Sequence, residues 1–368
     1  MLKQIKEVNE LVHTWDLDQE QRNKKLEILM KWEAQLEKEE FKTILEICNE
    51  FNYYSERLTA QAYKSVFEKN ACSIEDFDTF IEQSLFMPLR RKDRFESAIG
   101  MFFSFINVNK INVNRTYVNS PADYLKKYKA SKEYFRKIDN EYSQEDDNQE
   151  ATILSLQKEL QAYNKNTKLS SKIKKRISKL QFSKARRKLR LEKLIEDFHE
   201  NYFSVKNLII VDDFIGTGDS VVTLLKEIGR IIGDSVININ LFLWVIEASE
   251  SGMEEIEKKA KELRIKIEIS FYKISTDVLE EDIIFARNNI NEVKEMIKKI
   301  NKRNGLRTSR YCKNHAIASF VNAPNNNLTV LSEESSTWTA LFLRTKRNKV
   351  KRKTSSAELK DTYQYLRK

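Results

Sequence analysis

The chain has 368 residues, of which 33% are charged and 40% hydrophobic, and its formal net charge is +10. These proportions argue against an intrinsically disordered chain, and no stretch approaches the roughly 18 consecutive apolar residues of a membrane span. The basic balance favours an anionic partner such as nucleic acid, a nucleotide or a phosphosugar. The N-terminus has no apolar signal core and the three cysteines show no CxxC spacing, so we expect a cytoplasmic protein with reduced thiols.

Residues 1–95 predict an N-terminal helical region. Apolar residues recur there at helical spacing between charged positions, as from Leu26 to Leu36, and we expect four or five helices. Residues 96–138 predict the start of an α/β core. Its first strand is expected at 98–107, because AIGMFFSFIN is rich in β-forming residues.

The next segment, 139–200, predicts an insertion made of an acidic loop and a basic helical hairpin. Residues 139–150 contain no aliphatic residue, which indicates an exposed loop. Residues 172–193 hold 11 Lys and Arg residues, with apolar residues at near-helical intervals. One interpretation is a solvated helix with a narrow buried seam. The other is an arm that binds nucleic acid or an acidic partner.

Residues 201–343 predict the main α/β core, because strand and helix patterns alternate. This alternation indicates a parallel sheet with right-handed crossovers. Residues 344–368 predict a basic tail, since seven of the ten residues at 344–353 are Lys or Arg. The expected core elements are strands at 207–211, 236–246, 265–273 and 315–321, and helices at 219–232, 253–263 and 279–301.

The sequence from Leu208 to Ser220, LIIVDDFIGTGDS, carries the strongest chemical signal. An apolar strand leads to the adjacent carboxylates of Asp212 and Asp213. A glycine-containing loop and a helix start follow. Ligands of open parallel sheets bind at the carboxyl ends of the strands, and a helix N-terminus attracts phosphate. The pattern therefore predicts a site for a phosphorylated sugar.

This segment resembles the phosphoribosyl-pyrophosphate (PRPP) motif of type I phosphoribosyltransferases: four apolar residues, two acidic ones, three variable ones and Thr-Gly-x-Ser/Thr. The resemblance implies that the catalytic pair Asp212 and Asp213 binds the ribose 2′ and 3′ hydroxyls. It also implies that the ligand's own oxygens hold Mg²⁺, with no direct protein ligand to the metal. The residues expected to bind the 5′-phosphate are Gly216, Thr217, Gly218, Asp219 and Ser220.

Other acidic strand ends offer competing interpretations. A Walker B strand also ends in acidic residues, but it requires a GxxxxGK[S/T] loop, which this chain lacks. A response-regulator acidic pair is expected near the start of its domain, and about 200 residues precede this one. A coincidental structural pattern remains a third alternative.

Two further groups of residues are candidates for substrate contact. Arg91 and Ser97, near the expected first strand, could contact pyrophosphate, although a basic surface turn is the competing interpretation. Asn325 and Asn326 could read a base or cap the sheet, and a plain Asx turn is the alternative. The three histidines share no spacing, and we expect His315 to be structural.

The block from Ala323 to Leu328, APNNNL, with Trp338, Leu341, Phe342 and Arg344 after it, brings a second resemblance. It is similar to the PNN…W…LFPR ending of phosphoribosyltransferase-like domains in bacterial conflict systems, including effectors encoded beside retron reverse transcriptases. The resemblance implies a glycosyl-transferring or nucleotide-cleaving effector in anti-phage defence. The alternative is a non-catalytic nucleotide sensor that binds nucleic acid or a reverse-transcriptase partner through residues 172–193.

Overall fold

The computed structural model describes residues 2–90, 98–162, 167–198, 204–233, 239–279 and 290–344. From residue 207 onward, strands and helices alternate as the sequence predicts. No helix within these ranges combines the length and apolar character needed to cross a membrane. The helices are α1 (Leu2–His13), α2 (Gln19–Gln35), α3 (Lys38–Asn49), α4 (Glu56–Ser73), α5 (Phe77–Glu82), α6 (Ala98–Val108), α7 (Pro121–Ala162), α8 (Thr167–Phe198), α9 (Asp219–Ile232), α10 (Glu250–Glu262), α11 (Ile290–Arg303) and α12 (Thr329–Ser332). The strands are β1 (Asn52–Tyr54), β2 (Ser84–Pro88), β3 (Asn207–Ile215), β4 (Asn240–Ser249), β5 (Ile267–Ser275) and β6 (Ile317–Ser319).

Two parallel sheets organise the strands. The larger sheet has the order β2-β3-β4-β5, and the smaller one pairs β1 with β6. Strand β3 lies inside the larger sheet, and its first five residues are buried. A strand covered on both faces is expected to read as a continuous apolar run, as this one does. The predicted parallel sheet is therefore confirmed.

The described residues form two compact units. The first comprises those of 2–121, 207–230 and 240–344, and the second those of 122–206 and 231–239. In the first unit, α4 and α6 cover one face of the larger sheet with an aromatic cluster around Trp244. A second cluster joins α1–α3 to α11, α12 and the segment before residue 344. The rings of Trp32 and Trp338 stack there at 4.7 Å.

The prediction of a strand at 98–107 is wrong, because this segment is the helix α6. Its buried residues fall at spacings of three and four, which is the repeat of one helix face. They are Ala98, Met101, Phe102, Phe105 and Ile106. The edge strand of the sheet is instead β2, a short, fully buried run that ends at Pro88. Proline is tolerated on such an edge.

The prediction of an acidic loop at 139–150 is also wrong, since helix α7 runs through it. Helices α7 and α8 lie side by side within the second unit. Acidic residues of α7 pair with basic residues of α8: Lys184 contacts Asp146 at 3.1 Å and Glu150, and Arg187 contacts Glu145. Ion pairs thus occupy positions that apolar residues usually fill in a helical seam.

The rest of the α8 seam follows a coiled-coil repeat. Its least exposed residues alternate at spacings of three and four, which places a single stripe of the helix against α7. These residues are Ile173, Ile177, Leu180, Lys184, Arg187, Leu191, Leu194 and Phe198. At the end near residue 167, Ile173 and Ile177 form an apolar cluster with Leu156 of α7.

Candidate functional site

The motif folds as the predicted strand–loop–helix. Strand β3 continues to Ile215, so the acidic pair lies within the strand and not after it. The side chains of Asp212 and Asp213 are half-buried. An oxygen of the Asp213 carboxylate accepts the Phe214 backbone N–H at 2.8 Å. The hydroxyl of Tyr63, on α4, donates to the Asp212 backbone carbonyl at 3.0 Å and so fixes the end of the strand.

The turn into α9 depends on glycine. Gly218 has a φ of +73°, a left-handed conformation that side chains with a Cβ atom adopt at a cost. Its carbonyl accepts the N–H of Val222 at 2.9 Å and so begins α9. Thr217 and Ser220 are half-buried on the turn, and Asp219 is exposed. The five predicted phosphate-binding residues therefore lie at a helix N-terminus, where the positive end of the helix dipole suits an anion.

A second glycine holds the loop against the start of α10. A Cβ atom added to Gly252 would lie 2.2 Å from the carbonyl oxygen of Gly216, so no larger residue fits. The hydroxyl of Ser249, at the end of β4, donates to that same carbonyl and accepts the Gly252 N–H at 3.0 Å. Neither Ser249 nor Gly252 was singled out from sequence, because the contact depends on strand pairing.

Asn326 closes the loop from the other side. A Cβ atom added to Gly216 would lie 2.6 Å from its Nδ2 atom. Asn326 is 2% exposed, and its amide donates to Nδ1 of His315 at 3.0 Å. The hydroxyl of Ser275 lies 2.7 Å from the same ring nitrogen. Asn326 is thus placed to hold the loop, whereas Asn325 is exposed on the preceding turn.

The buried histidine of this group is kept neutral. Burial, together with the charge of Lys313, lowers the pKa of His315 to about 4. Both the Asn326 amide and the Ser275 hydroxyl lie within hydrogen-bond distance of Nδ1 of this neutral ring. An uncharged histidine that fastens an asparagine is consistent with the structural role expected for His315.

A buried carboxyl group, Glu247, lies at the same edge of the sheet. It is in register with Phe214 of β3, and the hydroxyl of Tyr54 donates to its Oε1 atom at 2.5 Å. Sequence reasoning missed it. The signal was a lone acidic residue in the apolar strand LFLWVIEAS. The candidates Arg91 and Ser97 lie outside the described residues.

The fold and the site define an α/β protein with a glycine-containing strand–loop–helix at the carboxyl edge of a parallel sheet. The family model described as PRTase-CE matches residues 29–344, which is most of the chain. The chain belongs to this phosphoribosyltransferase-like family. Comparison with curated proteins found no match, and neither did comparison with solved structures.

Proposed function

We propose that this protein binds PRPP, or a related phosphorylated ribose or nucleotide, together with Mg²⁺. The observation that carries the proposal is the loop at 216–220, which combines a left-handed Gly218 with the N-terminus of α9. The half-buried carboxylates of Asp212 and Asp213 precede it on the same strand, where they can accept hydrogen bonds from vicinal hydroxyls. Mg²⁺ would enter with the ligand, bound through its phosphates.

The proposed activity is glycosyl transfer or nucleotide cleavage at the anomeric carbon of the ribose. The loop would fix the 5′-phosphate and the acidic pair would fix the sugar, so that the reacting carbon is held in one place. Stabilisation of the developing charge would come from the loop N–H groups and the metal-bound phosphates. In the cell the protein would act in the cytoplasm as an effector of bacterial anti-phage defence, beside a partner such as a retron reverse transcriptase.

Calorimetric titration with PRPP and Mg²⁺ tests the binding step. Wild type should bind, and the folded double variant Asp212→Asn/Asp213→Asn should not, because each amide has lost the negative charge and carries a donor in place of one acceptor oxygen. A matched control is Glu254→Gln/Glu255→Gln, which neutralises two adjacent exposed carboxylates on α10 and should bind as wild type does. A well-folded wild type that binds neither PRPP nor a nucleotide would refute the proposal.

A second candidate function, nucleic-acid binding, is supported by the exposed face of α8. Nine of the 11 basic residues at 172–193 are exposed, since only Lys184 and Arg187 turn into the seam with α7. The ring of Phe182 is 71% exposed among them. Basic residues interleaved with an aromatic ring suit a phosphate backbone with stacked bases. In this reading the nucleotide site senses its ligand without turnover.

Fluorescence anisotropy with a labelled single strand separates this candidate from a purely solvated helix. Reversing three exposed charges, Lys174→Glu/Lys175→Glu/Arg176→Glu, should weaken binding and flatten its dependence on salt, because fewer counterions are released. The control Lys258→Glu/Lys261→Glu reverses exposed charges on α10 and should change little. Equal affinity for all three proteins would remove the arm from consideration.

A further inference from the structure

The carboxyl group of Glu247 is buried. Glu247 is 0% exposed. It lies on β4, in register with Phe214 of β3 on one side and Lys273 of β5 on the other. The other buried acidic residue in the described ranges, Glu40, makes an ion pair with Arg303 at 2.6 Å. No such pair within 4.0 Å is formed by Glu247 in the part of the chain that the structure describes. A buried carboxyl normally needs a charged partner, so this one calls for an explanation.

Its hydrogen bonding is also incomplete. The Tyr54 hydroxyl satisfies Oε1, but Oε2 is buried and has no hydrogen-bond partner among the described residues. Most buried polar atoms in folded proteins have a hydrogen-bond partner, so an unpartnered carboxyl oxygen needs an explanation. The position of Glu247 at the carboxyl edge of the sheet, where ligands bind, agrees with a functional role.

Tyr54 links this carboxyl group to the acidic pair. Its ring lies 5.9 Å from the ring of Phe214, which directly follows Asp213 and donates its N–H to that carboxylate. The carbonyl of Tyr54 accepts the Phe320 N–H at 2.8 Å, which holds the backbone that carries the ring. A change at Glu247 therefore reaches the acidic pair through two hydrogen bonds and one ring contact.

The groups around Glu247 leave it between its two protonation states near neutral pH. Burial raises its pKa to about 7, and the Tyr54 hydroxyl, the Lys273 ammonium and the nearby Ser275 hydroxyl oppose that rise. An anion arriving at the loop would add negative charge, which favours the protonated carboxyl.

We infer that Glu247 is a positioning residue of this site, holding the acidic pair through Tyr54 and Phe214, and that it takes up a proton when an anionic ligand occupies the loop at 216–220. This inference rests on the proposed function and adds the coupling of ligand binding to a proton. Neutralisation of the buried carboxylate removes a like charge from beside a ligand that carries several phosphates.

Calorimetry in buffers of different ionisation enthalpy measures the coupling. Titration of PRPP with Mg²⁺ gives the number of protons exchanged on binding. The ligand's own phosphates titrate in every protein, so the difference between wild type and Glu247→Gln isolates the side chain. If the bound anion raises the pKa of Glu247 by about one unit, wild type takes up about half a proton more at about pH 7.5. Glutamine keeps the acceptor for Tyr54 and cannot ionise.

Two further variants separate the coupling from a general structural effect. Glu268→Gln removes an exposed carboxylate from the opposite end of β5 and should exchange protons as wild type does. Tyr54→Phe keeps the ring but not the hydroxyl, so proton uptake should persist while its pH range moves upward, because a hydrogen bond that favours the carboxylate is gone.

The possible outcomes distinguish the two proposals. Binding with equal proton exchange in wild type and Glu247→Gln would overturn the role of Glu247 and leave the proposed function intact. Absence of PRPP binding by folded wild type would overturn the proposed function and this inference with it. Extra proton uptake by wild type and by Glu268→Gln, missing from Glu247→Gln, supports the inference.

Discussion

Replacing Glu247 by glutamine should change how the stability of the protein depends on pH, even without a ligand. The folded protein holds the carboxyl proton up to about pH 7, whereas the ordinary value of 4.5 applies to the unfolded chain. Between these values the unfolded chain binds fewer protons, so stability falls as pH rises and levels off above about pH 7. At about 1.4 kcal/mol per pH unit the fall is about 3 kcal/mol.

Urea unfolding followed by tryptophan fluorescence gives the free energy of unfolding at about pH 5 and about pH 8. The difference between wild type and Glu247→Gln should shift by about 2.5 kcal/mol between these conditions, in favour of the variant at the higher pH. The subtraction cancels every other titrating group. For Glu268→Gln, which removes an exposed carboxylate, the free energy of unfolding should change with pH as it does for wild type. The same pH dependence for Glu247→Gln would refute the reasoning.

Three more predictions concern the loop, the thiols and the helical seam. Gly218→Ala should weaken PRPP binding at least about tenfold, because its Cβ atom would lie 2.6 Å from a carbonyl oxygen of α10 and a left-handed φ adds about 1–2 kcal/mol of strain. Gly233 also has a left-handed φ, but a Cβ atom added there would meet nothing within 4 Å, so Gly233→Ala should leave affinity unchanged. A thiol reagent should label exposed Cys72 in the native protein but Cys48 only on unfolding, since burial raises the pKa of the Cys48 thiol. Arg187→Leu should alter stability by less than about 1 kcal/mol and reduce its salt dependence in thermal unfolding.

Each of these has a contradicting result. Equal loss of affinity in both glycine variants would show that backbone strain alone is responsible. If a thiol reagent rapidly labels Cys48 in the native Cys72→Ser variant, the helical cluster around α3 opens readily. A large loss of stability in Arg187→Leu would mean that the seam depends on the charge of that residue and not on its packing.

The sequence was sufficient for the centre of the sheet and for the loop. Strand β3 and helix α9 combine a continuous apolar run with a glycine turn, and both signals are local. Strand β2 was missed because five residues, one of them Pro88, give little periodic signal. The aromatic content of α6 favoured a strand, although its buried residues follow a helical repeat.

The supporting residues of the site could not be predicted, because their contacts are non-local. Gly252 and Asn326 approach Gly216 from segments far apart in the chain. Glu247 meets Tyr54 across the gap between two sheets, so its burial has no local signature. Residues 139–150 read as a loop for a similar reason, since their partners on α8 lie about 40 residues away.

The pairing of β1 with β6 affects when the protein can fold during its synthesis on the ribosome. Asn52 is synthesised long before its strand partner Ile317. The loop at Gly216 likewise needs Asn326, which follows it by more than 100 residues. A nascent chain therefore carries an unpaired β1 and an unclosed loop until these later residues are made. A product truncated before residue 317 would have neither contact.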